Sequence, residues 1–255
     1  METILLTPPE QREEAARFGL PLAHMAFQLG PDGRLHQSGL SAGVRGGLLL
    51  AGAAEAPAGN TDFRPAVQDI LATCRNRAFQ GVVLDLEQPP TPFLAGVIRG
   101  VEEGLSRQGR ALYLPEAYAN FSGRARLYLS SALSGGSLEG RLTQAAETYG
   151  AERLVLCLDR VRSDFFLPAP KGMGRPLSRE ALAQLRERLE PSVFFSKDLC
   201  AHYFTYMSRS TGAHFVLFDD GESLRRKREI AERVGIRRCF LLYPETKEYL
   251  PALLS

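Results

Sequence analysis

The sequence contains no tryptophan. Nor does it hold any apolar stretch approaching the roughly 20 residues a membrane-crossing helix needs; runs such as Gly47 to Ala54 are strand-sized. Neither sign of charge dominates. Lys+Arg 31 against Asp+Glu 29 leave a net charge of +2, so no global field argues for nucleic acid or an anionic membrane surface. The four cysteines (Cys74, Cys157, Cys200 and Cys239) include no C-x-x-C pair. That spacing excludes a disulfide scaffold and reads as reduced, structural thiols. His24, His36, His202 and His214 show no H-x-x-x-H spacing, so no metal is expected. No glycine-rich phosphate loop of Walker or Rossmann type appears, so no cofactor is expected either. The opening METILLTPPEQREE has neither a basic start nor a long apolar stretch, which reads as a cytoplasmic chain.

What is present is ordinary globular composition. Of 255 residues, 44% are apolar and 24% charged, a length suited to one large domain or two small ones. Short apolar runs alternate with amphipathic stretches. The runs predict strands at Thr3–Thr7, His24–Leu29, Gly47–Ala53, Gly81–Glu87, Ala111–Pro115, Arg126–Ser131, Leu154–Asp159 and Cys239–Tyr243. They are nearly continuous, as in strands covered on both faces. The amphipathic stretches predict helices at Pro9–Phe18, Phe63–Ala78, Pro92–Ser106, Leu138–Tyr149 and Glu222–Val234. Asp62 and Ser178 (the latter before Arg179–Leu189) read as helix N-caps.

Eight strand–helix units in this length predict an α/β fold, a single (β/α)8 TIM barrel over residues 1–255. The competing architecture is a doubly wound open sheet, since periodicity does not report closure. Residues 160–221 exceed a normal connection between strands seven and eight. They read as a small α+β insertion, with its own helix and β-like runs at Ser192–Ser196 and His214–Phe218.

The most informative stretch is Phe79-Gln80-Gly81-Val82-Val83-Leu84-Asp85-Leu86-Glu87. Strand alternation puts Val83, Asp85 and Glu87 on one face and Val82, Leu84 and Leu86 on the other. With the apolar face against helices, two carboxylates point into the barrel at the C-terminal strand end, where barrel active sites are built. The plain alternative is an ion pair with a neighbouring arginine.

This stretch resembles the signature strand of glycoside hydrolase family 18, D-G-x-D-x-D-x-E, with Gly81, Asp85 and Glu87 at matching positions and Gln80 and Val83 in place of the first two aspartates. Residues 154–168, 214–236 and 239–245 are similar to the tail of the spore-cortex and germination-type members, whose D-x-x-S-x-x-x-K helix is matched by Asp220, Ser223 and Lys227. The resemblance implies substrate-assisted retaining hydrolysis of β-1,4-linked N-acetylglucosamine glycans of chitin or peptidoglycan type. Glu87 would be the general acid, its pKa raised by a dry interior and a neighbouring carboxylate, and Asp85 would orient the substrate's 2-acetamido nucleophile. It also implies export or spore association as the alternative to a cytoplasmic location.

Where the family places a Tyr-Asp pair on the sixth strand, Ser130 and Ser131 stand here; near its last-strand tryptophan stand Leu242 and Tyr243. Aromatic platforms are sought instead at Tyr113, Tyr118, Phe165, Phe166 and Tyr243. Gln28, Glu116, Ser130, Ser131, Asp159, Arg160, Tyr243 and Glu245 are the candidate substrate contacts, at strand ends facing a barrel mouth. A catalytically inactive barrel that binds a glycan or a protein partner is the second reading, and the oligomeric state stays open.

Two further motifs have plainer readings. Gly39-Leu40-Ser41-Ala42-Gly43 fits G-x-S-x-G but precedes a strand, whereas a nucleophile elbow follows one. The run Arg225-Arg226-Lys227-Arg228 is interleaved with Glu222, Glu229 and Glu232 at helical spacing, as on a solvated face.

Overall fold

The computed structural model describes residues 1–38, 43–53, 57, 61–168 and 174–254; all but the last residue of the G-x-S-x-G stretch lies outside them. Contacts divide the chain into two compact units, one of Met1–Leu129, Arg153–Val155 and Arg238–Pro244, the other of Ser130–Glu152, Leu156–Arg237 and Glu245–Ser255.

Most of a closed parallel sheet lies in the first unit, with Ser130, Leu156 and Cys157 of its strands falling in the second. Its strands are β1 (Glu2–Thr7), β2 (Leu22–Leu29), β4 (Leu48–Ala53), β5 (Gly81–Leu86), β6 (Ala111–Pro115), β7 (Arg126–Ser130), β8 (Leu154–Cys157) and β14 (Arg238–Leu242), with β3 (Leu35–Gln37) added antiparallel to β2. The order β1-β14-β8-β7-β6-β5-β4-β2 is closed by pairing of β1 with β2. The expected eight-stranded barrel is therefore present, each strand within two residues of its predicted bounds. Every residue of β4 and of β8 is buried, which is why these runs show no polar alternation.

The helices of this unit are α1 (Arg12–Ala16), preceded by a 3-10 turn at Pro9–Gln11, α2 (Arg64–Asn76) and α3 (Pro92–Ser106). The third has clear local causes: the Thr91 hydroxyl accepts the Leu94 amide at 3.2 Å, and Pro92 opens the first turn. Its apolar stripe, Phe93, Leu94, Val97, Ile98, Val101 and Leu105, is buried. A ridge of Gly96, Gly100 and Gly104 meets Phe63, Val67 and Leu71 of the α2 segment; a Cβ on Gly100 would sit 2.8 Å from Val67. Asp62 is not the N-cap of α2. That position is Phe63, and the Asp62 carboxylate accepts the Arg64 amide at 3.0 Å in a local turn.

The second unit contains α4 (Leu138–Tyr149) and a five-stranded antiparallel sheet of β9 (Arg162–Phe166), β10 (Arg175–Pro176), β11 (Phe194–Ser196), β12 (Ala201–Ser208) and β13 (Gly212–Phe218), in the order β10-β9-β13-β12-β11. One face is covered by α5 (Arg179–Leu189), with Leu185 against Phe204, Val216 and Phe218. Ser178 caps α5 through the Ala181 amide at 3.0 Å, as expected. Strands β9 and β12 have no counterpart in the sequence reading. In β12 both faces mix aromatic and polar residues (His202, Phe204, Tyr206 against Tyr203, Thr205, Met207), so no period stands out.

After β13 comes α6 (Gly221–Val234), opened by a capping box between Asp220 and Ser223. Its basic run is solvated at Arg225 and Arg226, which pair with Glu229 and Glu222, while half-buried Arg228 pairs with Glu232 and donates to the Leu253 carbonyl. Lys227 departs from that pattern. It is fully buried, and its ammonium donates to the equally buried Asp219 at 2.6 Å. Asp219 also accepts from Ser223 Oγ at 2.7 Å and from the Val161 amide at 2.8 Å. The last turns, α7 (Tyr243–Thr246) and α8 (Leu250–Leu254), follow β14. No helix among the described residues is long and apolar enough to cross a membrane.

Two stability predictions arise from buried ionisable groups. Lys227→Met leaves the Asp219 charge buried without its cation, which should lower the unfolding free energy by about 3–5 kcal/mol; an unchanged denaturant midpoint would contradict the role given to the pair. His24 is buried, and burial first, then Arg12, lowers its pKa from 6.5 to about 4. The unfolded chain then binds a proton that the folded one refuses, so stability falls as pH drops from about 6.5 toward 4. Between pH 7.5 and 5 the loss from this residue alone is roughly 2 kcal/mol. Urea unfolding of the parent and His24→Gln at the two pH values measures it as the difference in slope.

Candidate active site at the barrel mouth

Strand register assembles the site. Gln28 of β2, Gly52 of β4 and Asp85 of β5 are direct neighbours across three strands. The middle position has no side chain, and a Cβ there would lie 2.7 Å from the Gln28 amide nitrogen. The Gln28 amide therefore lies over Gly52, beside Asp85. With Ala53 and Glu87 they line a cavity of about 110 Å3, well below the roughly 300 Å3 at which drug-sized pockets begin. Such a space fits one substituent of a ligand better than a whole sugar ring.

Asp85 is half-buried and has one fixed donor, the Tyr128 hydroxyl of β7, at 3.0 Å; the same hydroxyl reaches the Leu84 carbonyl at 3.2 Å. Neither Asp85 nor Glu87 is held in an ion pair among the described residues, so the plain salt-bridge reading of these carboxylates does not apply. Glu87 lies just beyond Leu86, the last residue of β5, and is exposed. The dry interior expected around it is not what surrounds it, because the strand ends one residue earlier and the side chain meets solvent. The turn after it is held from both sides: Gln88 donates to the Ala53 carbonyl at 3.2 Å, and the buried Tyr118 hydroxyl donates to the Gln88 carbonyl. Burial pushes the Tyr118 phenol up.

Tyr128 was not among the sequence candidates. The signal was available, since it shares a strand face with Ser130 two residues on. One layer deeper, Val83 neighbours Tyr113, whose hydroxyl accepts from Arg126 at 2.6 Å. Phe240 of β14 packs against both Tyr113 and Tyr128, with ring centroids 5.3 and 5.8 Å apart. The floor beneath Asp85 is thus aromatic and apolar where the resembled family carries a further aspartate.

Of the first unit's other candidates, Glu116 opens a 3-10 turn after β6. Tyr243 is fully buried against Phe18, with centroids 6.1 Å apart, so it offers no stacking face. Tyr113 and Tyr118 are buried as well.

In the second unit, Ser130 Oγ accepts the Ala132 amide at 3.1 Å. Ser131 is fully buried and donates to the Asp159 carbonyl at 3.1 Å, so its hydroxyl is used within the fold rather than offered to a ligand. Asp159 accepts from the Cys157 thiol at 3.2 Å. Arg160, its side chain only 8% exposed, is clamped by Glu245 at 2.6 Å and Glu248 at 3.1 Å. That arginine ties the C-terminal turns to the end of β8. Phe165 is buried and Phe166 is exposed.

His214 is a satisfied strand histidine, bonded to Asp164 at 2.9 Å and Thr211 at 2.7 Å. Burial, and then the Asp164 carboxylate that accepts its proton, push the neighbouring Tyr206 phenol up to about 12. His24 differs: its Nδ1 is buried with no hydrogen-bond partner among the described residues. The described residues contain no group of three or more His, Cys, Asp or Glu able to hold a metal ion.

A closed parallel barrel carrying carboxylates at the C-terminal end of its fourth barrel strand has the fold of the chitinase-like glycoside hydrolases. Among solved structures, a chitinase from Chromobacterium violaceum is similar over 100% of this chain and 98% of its own, with TM-score 0.70 and 15% identity. The Bacillus cereus spore cortex-lytic enzyme SleL is similar over 99% and 74%, with TM-score 0.69 and 16% identity. A GH18 chitinase from Cycas revoluta in complex with (GlcNAc)4 is similar over 99% and 98%, with TM-score 0.66 and 14% identity. No family model and no curated protein matches the sequence.

The Tyr128 bond to Asp85 is directly testable. Tyr128→Phe removes one hydrogen bond to a charged group and should cost about 1.5–3 kcal/mol in any function that Asp85 performs. Read as kcat/KM or Kd for a chosen glycan, an unchanged value would show that the bond is incidental.

Proposed function

We propose that the barrel mouth binds and hydrolyses β-1,4-linked N-acetylglucosamine glycans. The observation that carries this reading is the pair of carboxylates, Asp85 and Glu87, at a barrel strand's C-terminal end without ion-pair partners among the described residues. Asp85, half-buried and unpaired by a cation, is costly to keep, and both acids stand where barrel active sites are built. The small cavity lined by Gln28, Asp85 and Glu87 suits an acetamido group, with Gln28 offering an amide and Asp85 a carboxylate held by Tyr128. In this reading Asp85 turns the acetamido group toward the anomeric carbon, and Glu87 delivers the proton to the glycosidic oxygen.

Two observations favour a second reading, a barrel that binds such glycans without cleaving them. Val83 gives Asp85 no neighbouring carboxylate to share a proton, and Glu87 faces solvent. One comparison separates the two. Removing a general acid costs at least about 100-fold in rate, so Glu87→Gln should abolish cleavage of N-acetylated chitooligosaccharides and peptidoglycan fragments while leaving their binding intact. Binding without cleavage by either protein selects the second reading, and no binding of either glycan defeats both.

A further inference from the structure

A second cavity, of about 540 Å3, lies at the opposite end of the same barrel. Leu22 and His24 line it from the start of β2, Gly47 from the residue before β4, and Gln80 from the residue before β5. Asp85 and Glu87 stand at the other end of β5. One wall is apolar, formed by Ala16, Leu20, Pro21 and Leu22; the other carries two guanidiniums, those of Arg12 and Arg45.

These arginines are held in place without being neutralised. Arg12 donates to the Gly43 carbonyl at 2.8 Å, and Arg45 to the Asn76 carbonyl at 3.3 Å. The one acid on the rim, Glu13, approaches Arg12 only to 4.0 Å, with its side chain 90% exposed, a pairing worth little in water. Backbone carbonyls fix the forks and leave their charge uncompensated.

The wall between them is built to one shape. Gly46 and Gly47 have φ of +69° and +63°, a conformation other residues adopt at a cost. A Cβ on Gly47 would collide with the Leu22 carbonyl and stand 3.5 Å from His24 Nε2. Bonds from the Gly46 amide to the Arg77 carbonyl (2.9 Å) and from the Gln80 amide to the Gly47 carbonyl (2.7 Å) lock the segment. Behind it, His24 is only 4% exposed; its backbone partner is Gly46, and its Nδ1 has none. A buried polar atom left unpaired costs about 1–3 kcal/mol, and His24 lines the cavity that Arg12 and Arg45 also line.

From this geometry we infer a binding site for a small organic oxyanion, a carboxylate or phosphate monoester on an apolar body, with Arg12 and Arg45 on the anion and the Ala16–Leu22 wall on the body. Gln80 supplies an amide at the rim. A bound anion compensates the Arg12 guanidinium that now disfavours charge on His24, so occupancy makes protonation of that imidazole easier. The charged groups that face it are Arg12 and Glu13 from α1 and Arg45 from the segment before β4. The site does not depend on the proposed glycan function, and neither result bears on the other.

The test is an NMR titration of the His24 imidazole, assigned with His24→Gln, in the full chain with phenyl phosphate, benzoate and neutral benzamide at matched ionic strength. The expected result is a saturable shift with phenyl phosphate or benzoate at or below about 10 mM, together with a rise of the His24 titration midpoint above about 4. Tighter binding of one probe names the oxyanion. Arg12→Gln and Arg45→Gln should each weaken that binding at least about ten-fold, the worth of one charge-assisted hydrogen bond. No saturable shift, an equal shift with benzamide or with sodium chloride, or full affinity in both variants overturns the site.

Discussion

Closure of the sheet by pairing of β1 with β2 is the constraint from which the rest follows. An open sheet could cover either face with helices, but a closed one has a single interior. Each strand must commit every second residue to it. This places Asp85 with Gln28 and Gly52 in one rung, Val83 beside Tyr113 in the rung below, and Phe240 against two tyrosines within the same layers. The helical layer obeys the same geometry from outside, where the Gly96, Gly100 and Gly104 ridge lets α3 approach the Phe63, Val67 and Leu71 side of α2.

Carboxylates in the two units show how differently one chemical group is treated. Asp219 is fully buried and receives three donors, one of them a buried ammonium. Its lone pairs are largely spent, and its role is to hold α6 and the Val161 backbone together. Asp85 is half-buried with one hydroxyl donor. A carboxylate can accept about four hydrogen bonds, so most of its capacity faces the cavity. That difference in saturation, rather than burial alone, separates a structural acid from a candidate functional one.

Much of this was legible in the chain. Near-continuous apolar runs marked the barrel strands because both of their faces are covered, and Ser178 marked a helix start through a local hydrogen bond, whereas Asp62, read the same way, is not the cap of its helix. The Asp85–Glu87 alternation was readable because a strand has period two. What was not legible depended on partners distant in sequence. Tyr128 meets Asp85 across 43 residues and Lys227 turns inward to Asp219 within a largely solvated run; Tyr243, read as a possible platform, is buried against Phe18. Strand β12 escaped notice because its two faces carry similar mixtures.

The sequence by itself determined the succession of barrel strands and the longer helices, the Ser178 cap, and the presence of two acids on one face of a strand, since all of these rest on interactions within a few residues. Only the tertiary structure decided which acid is saturated, which aromatic is accessible, and that a cationic cavity lies at the N-terminal end of the barrel. These depend on side chains from separate strands meeting at distances of about 3 Å. Their burial and hydrogen bonding exist only once the sheet has closed around them.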